Sequence, residues 1–187
     1  MSSHHIVKEK QEPALYIHHL GEFNEEYLGQ LLEWSPTLIV NALEYEKMLS
    51  LGLKTDVVLN PDPAQQYQEN TRVIKGNRTD VADVINYLIA EQYPAVNIID
   101  KDTNLDAIQQ FIHQINLVFF TPTTKSYGVK SGFKVWKPKG TQFEIPLTTY
   151  FETSNLIPNE QGLFEVDQDG FVEFIFGAEY LFITERL

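Results

Sequence analysis

The sequence predicts an α/β fold: a mainly parallel sheet flanked by helices, followed by a small antiparallel β-sandwich domain. Three observations carry this expectation. Short branched and aromatic runs alternate with helical patterns up to residue 120, and the rhythm then changes to strands closely punctuated by Gly, Pro, Asn and Asp. The length of 187 residues suits one full domain and a smaller one. A content of 43% hydrophobic and 12% aromatic residues supplies a core without disulfides, which a chain with no Cys cannot form.

In order along the chain, residues 14–18, 37–40, 56–59, 72–74, 95–99 and 116–120 read as strands, each brief, apolar and bounded by turn formers. Helices are expected between several of them. Tyr27, Leu28, Leu31 and Leu32 mark one apolar face. Val81, Val84, Ile85, Leu88 and Ile89 mark the clearest, with Asn77 or Thr79 upstream as a cap, and Leu105, Ile108 and Ile112 mark a third. Alternation of this kind implies parallel strands covered on both sides. Beyond Pro122, strands are expected at 133–136, 142–147, 162–166, 171–176 and 180–184, with Asp167-Gln168-Asp169-Gly170 as a hairpin signal. The domains are therefore expected at 1–123 and 124–187.

Charge narrows the partners. The formal net charge is −12, from 26 acidic and 14 basic residues, which opposes attraction to nucleic acid or an anionic membrane. No run reaches the roughly 18 apolar residues of a membrane span, and the polar opening is no signal peptide, so a cytoplasmic protein is expected. Lys125, Lys130, Lys134, Lys137 and Lys139 form one basic cluster, read either as a solvated β face or as a weak anion patch.

In an open parallel sheet, ligands bind beyond the carboxyl ends of the strands, which directs attention to loops 18–21, 41–44, 60–64, 75–80 and 100–104. Neither a Walker phosphate loop nor a dinucleotide fingerprint is present. His18 and His19 are adjacent, so one is expected in a pocket or core and the other toward solvent.

Several stretches together resemble the thiamine pyrophosphokinases. They are residues 1–15 (MSSHHIVKEKQEPAL), residues 47–59 (KMLSLGLKTDVVL), Asn77-Arg78-Thr79-Asp80 ahead of an amphipathic helix, Thr103-Asn104-Leu105, and residues 133–146 with their WKPKGTQFEIP segment. The resemblance implies transfer of a pyrophosphoryl group from ATP to thiamine with Mg2+, in a homodimer whose thiamine lies between the first domain of one subunit and the β domain of the other. It further implies nucleotide contacts at Asn41, Asn77, Arg78, Thr79 and Asn104. Thiamine contacts would fall at Trp136, Ser154 and Asn155, and catalytic, metal-holding carboxylates at Asp62 and Asp80.

The departures bear on chemistry. The family's Gly-Asp-Phe-Asp falls on Asn60-Pro61-Asp62-Pro63, so both acidic positions are proline, and a shift of one residue is needed to return Asp62 to the site. Asn77 stands where the next motif has Asp, and Asn41-Ala42-Leu43-Glu44 stands where the family has Asp-Gly-Gly-Ala. The family's Gly-Gly-Arg-x-Asp-His loop has no counterpart before Thr103. Pyrophosphoryl transfer needs a metal to neutralise phosphate charge and carboxylates to hold it. Two losses of roughly 3 kcal/mol each in transition-state stabilisation would slow it about 10⁴-fold.

Each candidate residue also has a structural reading. Asp80 suits the positive end of a helix, Asp62 a Pro-Asp-Pro surface turn, Trp136 a buried ring, and Ser154 with Asn155 a turn. Three functions follow. The first is a low-activity or inactive binding or regulatory homologue, kept for thiamine or a nucleotide. The second is an active kinase using ATP and Mg2+ on a relocated site of Asp62, Asp80, Asp100 and Asp102, and the third is a non-catalytic interaction protein.

Overall fold

The computed structural model describes residues 12–76, 80–103, 105, 108–147 and 150–187, with Asp80 described in its backbone only. Two compact units divide between Leu117 and Val118.

The first unit is built on β1 (Ala14–Ile17), β2 (Leu38–Asn41), β3 (Val57–Leu59), β4 (Arg72–Ile74) and β5 (Ala95–Ile99), all expected from the sequence. Their order is β5-β1-β2-β3-β4, and every pairing is parallel. All four residues of β1 are fully buried, which explains why the strand reads as a continuous apolar run and not as an alternating one. Progress from β1 to β4 runs toward one edge, whereas β5 returns to the other side of β1. The order therefore reverses between β1 and β5.

Helices are few. In α1 (Glu25–Leu32), Asn24 Oδ1 accepts from the backbone N–H groups of Glu26 and Tyr27 at 2.8 and 3.2 Å, and two acids occupy the first turn. A 3-10 turn (Ala42–Glu44) leads into α2 (Tyr45–Ser50), which buries Tyr45 and Met48. The third, α3 (Asp80–Ala90), buries Val84, Ile85 and Leu88, as its periodicity requires; its expected caps, Asn77 and Thr79, lie outside the described residues. The helix expected at Leu105, Ile108 and Ile112 is corrected: the described residues there hold a 3-10 turn, Gln109–Phe111. Ile108 and Phe111 are buried, so apolar residues spaced three or four apart here report burial of a turn.

The strand β6 (Asn116–Phe120) spans the division between the units. The second unit continues with β7 (Thr124–Val129), β8 (Phe133–Lys137), β9 (Gln142–Glu144), β10 (Phe151–Ser154), β11 (Leu156–Pro158), β12 (Phe164–Val166), β13 (Gly170–Phe176) and β14 (Leu181–Arg186). These pair antiparallel as β6-β7-β14-β9-β12-β11 and as β8-β13-β10. Val172, Phe174 and Phe176 of β13 join Phe143, Val166 and Ile183 in one apolar core, while Phe171, Glu173 and Ile175 alternate outward. The expected hairpin at 167–170 is not one, because β12 pairs with β9 and β11 while β13 pairs with β8 and β10. Asp and Gly signal a bend there, and the bend carries the chain from one sheet to the other. No described helix is long and apolar enough to cross a membrane.

Candidate functional site

A cleft of about 650 Å³ lies in the first unit, lined by Asn41, Ala42, Leu43, Glu46, Asn60, Asp62, Ala64 and Gln65. Asn41 ends β2 and Asn60 follows β3, so the cleft occupies the carboxyl edge of the parallel sheet. It brings together two residues singled out in the sequence, Asn41 and Asp62. Of the others, Asn77, Arg78, Thr79 and Asn104 lie outside the described residues, as does the side chain of Asp80.

The polar atoms of this edge are largely committed to the backbone. Asn41 Oδ1 accepts from the N–H of Leu43 at 3.0 Å, capping the turn into α2. Asn60 adopts φ +55°, and its Oδ1 accepts from the N–H of Gly76 at 2.8 Å, joining the loops after β3 and β4. Asp62 Oδ1 accepts from the N–H of Ala64 at 2.8 Å, a local Asx turn, while the N–H of Asp62 donates to the Tyr67 hydroxyl at 2.7 Å. Tyr67 packs edge-on against Tyr45 of α2 with ring centroids 4.8 Å apart, and the Tyr45 hydroxyl accepts from the N–H of Gln68 at 2.6 Å. The Pro-Asp-Pro loop is thus anchored to α2, with Asp62 both a turn former and a wall of the cleft.

Asp83 escaped the sequence reading. From the first turns of α3 its carboxylate reaches the loop after β4, where a Cβ on Gly76 would collide with Asp83 Oδ2 and sit 3.1 Å from Asn60 Oδ1. The i, i+3 spacing from Asp80 was the available signal.

Two further pairs sit at the same edge. His18 Nδ1 lies 2.7 Å from Asp100 Oδ2, linking the end of β1 to the end of β5, where the strand order reverses. His19 Nδ1 lies 2.9 Å from Glu44 Oε1, reaching toward β2 on the other side. The side chain of His18 is the more enclosed, at 29% exposure against 47% for His19; β1 ends at Ile17, so both lie beyond the strand whose alternation the sequence reading used. Asp100 Oδ1 is also occupied, by the N–H of Lys101 at 2.7 Å. Burial alone would raise the Asp100 carboxyl, but the hydrogen bond and charge of His18 and the Lys101 N–H together hold it below the usual carboxylate range.

A magnesium ion takes oxygen ligands, with one or two carboxylates beside phosphate and water. Among the described residues no three His, Asp or Glu side chains are grouped to hold a metal. The amide oxygens of Asn41 and Asn60 and one oxygen of Asp62 already accept backbone hydrogen bonds. Asp62 and Asp100 follow strands three positions apart, about 14 Å at the usual strand spacing, too far to share an ion. Of the four acids of the relocated site the sequence allowed, Asp80 has its side chain outside the described residues, and Asp62 and Asp100 do not form it by themselves.

In the second unit, Trp136 stands opposite Phe171 on the outward face of β8 and β13, at 54% and 57% exposure, so a buried ring is excluded. Ser154 pairs with Glu173, which places it on the same face across β13 from Trp136. Asn155 is turned elsewhere. Its Nδ2 donates to Gln168 O at 2.7 Å and its Oδ1 accepts from the N–H of Gln168 at 3.1 Å, clamping the bend between β12 and β13.

Neither a family model nor a curated protein matches the sequence. The fold is similar to solved structures. Thiamine pyrophosphokinase from Bacillus subtilis aligns with a TM-score of 0.70 and 12% identity over 92% of this chain and 98% of that one. The Geobacillus thermodenitrificans thiamin pyrophosphokinase gives 0.69 and 11% over 93% and 97%, and the yeast enzyme 0.63 and 10% over 97% and 88%. The chain therefore has the thiamine pyrophosphokinase fold, across nearly its whole length.

Proposed function

We propose that this protein is a divergent thiamine pyrophosphokinase homologue that binds thiamine or a nucleotide and carries out little or no pyrophosphoryl transfer. The observation that carries the reading is the chemistry of the cleft between the ends of β2 and β3. The family's first acidic loop is Asn60-Pro61-Asp62-Pro63, and its one carboxylate is tied into a turn by Ala64. Proline at both flanking positions offers neither a carboxylate nor a backbone donor to phosphate. Such a loop still closes a pocket and still contacts a ligand, while the electrostatic stabilisation that drives phosphoryl transfer is depleted.

The test measures AMP and thiamine pyrophosphate formation from ATP and thiamine with Mg2+, beside thermal shifts with each ligand alone. The expected result is a thermal shift with turnover about 10⁴-fold below one per second. Turnover near one per second would show that the missing carboxylates were unnecessary. No shift with any ligand, together with no turnover, would favour an interaction protein. A homodimer belongs to the same proposal, with a solution mass of twice 21.5 kDa.

A further inference from the structure

The five lysines between residues 125 and 139 do not form one patch. Lys130 Nζ lies 5.4 Å from the ring centroid of Tyr180, and Lys134 Nζ lies 5.5 Å from that of Phe171 and 4.0 Å from Glu173. The exposed Lys139 anchors its backbone N–H on Asp169 at 2.7 Å. Lys125 and Lys137 converge instead on a single carboxylate. Lys125 stands directly opposite Glu185 in the β7–β14 ladder, a register that brings paired side chains within about 5.5 Å at Cβ. Lys137 forms the ion pair with Glu185 Oε1, at side-chain exposures of only 18% and 12%. Two ammonium groups therefore share one negative charge, and Lys137 holds it. Lys125 is left half-buried over aromatic rings, its Nζ 5.4 Å from the Tyr127 centroid and 5.7 Å from that of Phe120.

We propose that Lys125 is a covalent-modification site, a nucleophilic amine that condenses with small aldehydes at neutral pH. A lysine becomes nucleophilic when its ammonium form is disfavoured, by removal of water or by a neighbouring cation. Both conditions hold in this cluster, opposed by the ring faces of Tyr127 and Phe120, which favour the cation. Burial lowers the proton affinity of Lys125 and the charge of Lys137 lowers it again; Glu185 opposes them, and the net displacement is downward from the ordinary amine value. Burial and Glu185 also hold the Tyr127 hydroxyl protonated, so it adds no second negative charge beside the amine.

The reaction needs no oxidant. Lys125 first gives its proton to solvent, and the Nζ lone pair forms a bond to the carbonyl carbon as the C=O π pair moves to oxygen. Proton transfer from nitrogen to oxygen gives the carbinolamine, and loss of water leaves the imine. Glu185 Oε2 is buried without a hydrogen-bond partner, an acceptor on the opposing strand for the carbinolamine hydroxyl.

The experiment treats the folded, full-length protein with propionaldehyde at pH 7 in the presence of sodium cyanoborohydride, which reduces each imine to a stable secondary amine. Peptide mass mapping then gives a rate for every lysine. Lys125 should label about threefold or more faster than Lys54, although Lys54 is 73% exposed. Lys137→Gln frees Glu185 to pair with Lys125 and should slow Lys125 by a similar factor, leaving Lys54 unchanged. Labelling of wild-type Lys125 no faster than Lys54 overturns the proposal by itself, whatever the variant does. So does a folded Lys137→Gln protein in which Lys125 keeps its rate.

Discussion

Replacing Asn155 separates a turn clamp from a ligand contact. The residue sits at φ +61°, a left-handed conformation that Asn tolerates better than Ala does. Its side chain makes two hydrogen bonds to the backbone of Gln168, at 2.7 and 3.1 Å. These lie near solvent, so each contributes about 0.5 to 1 kcal/mol net, and forcing Ala into the left-handed region costs about 1 kcal/mol more. Asn155→Ala should therefore destabilise the protein by about 2 to 3 kcal/mol. Asn155→Gly loses the same hydrogen bonds but accepts the backbone conformation, so its loss should be about 1 kcal/mol smaller. Urea unfolding of both variants, followed by tryptophan fluorescence, measures the two contributions separately. Equal losses would refute the backbone contribution, and an unchanged midpoint in Asn155→Ala would refute the clamp altogether. A residue whose main task is to hold thiamine would show the opposite pattern: intact stability, with the thermal shift by thiamine abolished.

Two further substitutions test the carboxyl edge of the parallel sheet. The folded-state pKa of Asp100 is depressed, so its contribution to stability is complete above the unfolded carboxylate value and is lost as pH falls through the folded one. Asp100→Asn should accordingly lower stability by about 1 kcal/mol at pH 7, after allowance for solvent screening, and the difference from wild type should close in strong acid; a difference independent of pH would refute the ion-pair account. Gly76→Ala places a Cβ against Asp83 Oδ2 and Asn60 Oδ1 and should cost about 1 to 2 kcal/mol, part of which Asp83→Ala restores in the double variant, as urea midpoints of the three proteins would show.

What was legible in the sequence follows from burial. The runs that became β1, β2, β3 and β5 are buried on both faces or nearly so, and continuous branched residues announce them. Those that became β7, β10 and β11 were not expected. Thr124–Val129 buries only Ser126 and Val129, Phe151–Ser154 buries none of its residues fully, and Leu156–Pro158 is an edge strand that ends in proline. A strand held mainly by its ladder and only lightly by its side chains leaves little period to read. The meeting of Asn41 and Asp62 was accessible, because both follow strand ends in a parallel sheet. The His18–Asp100 and His19–Glu44 pairs were not, since they join residues 82 and 25 positions apart and depend on which strands are neighbours. Hydrophobic period gives the face a residue occupies, never the order of the strands.

Strand order also decides which acids can act together. Asp62 belongs to the β2–β3 side of the sheet, whereas Asp100 belongs to the reversal between β1 and β5, and β1 and β2 stand between them. A magnesium ion bonds oxygen at about 2.1 Å, so two carboxylates on one ion lie within about 4 Å, far less than three strand spacings. Asp62 and Asp100 therefore serve two separate places. At the reversal, Asp100 has both oxygens occupied, one by His18 and one by Lys101, which makes it a group that orients an imidazole. In the cleft, Asp62 and Glu46 are the carboxylates among the described lining residues, and Asp62 is constrained by its own turn. The sequence allowed Asp62 and Asp100 one shared site; a parallel sheet fixes each acid to its own strand end, so strand order, which hydrophobic period does not carry, decides which acids are neighbours.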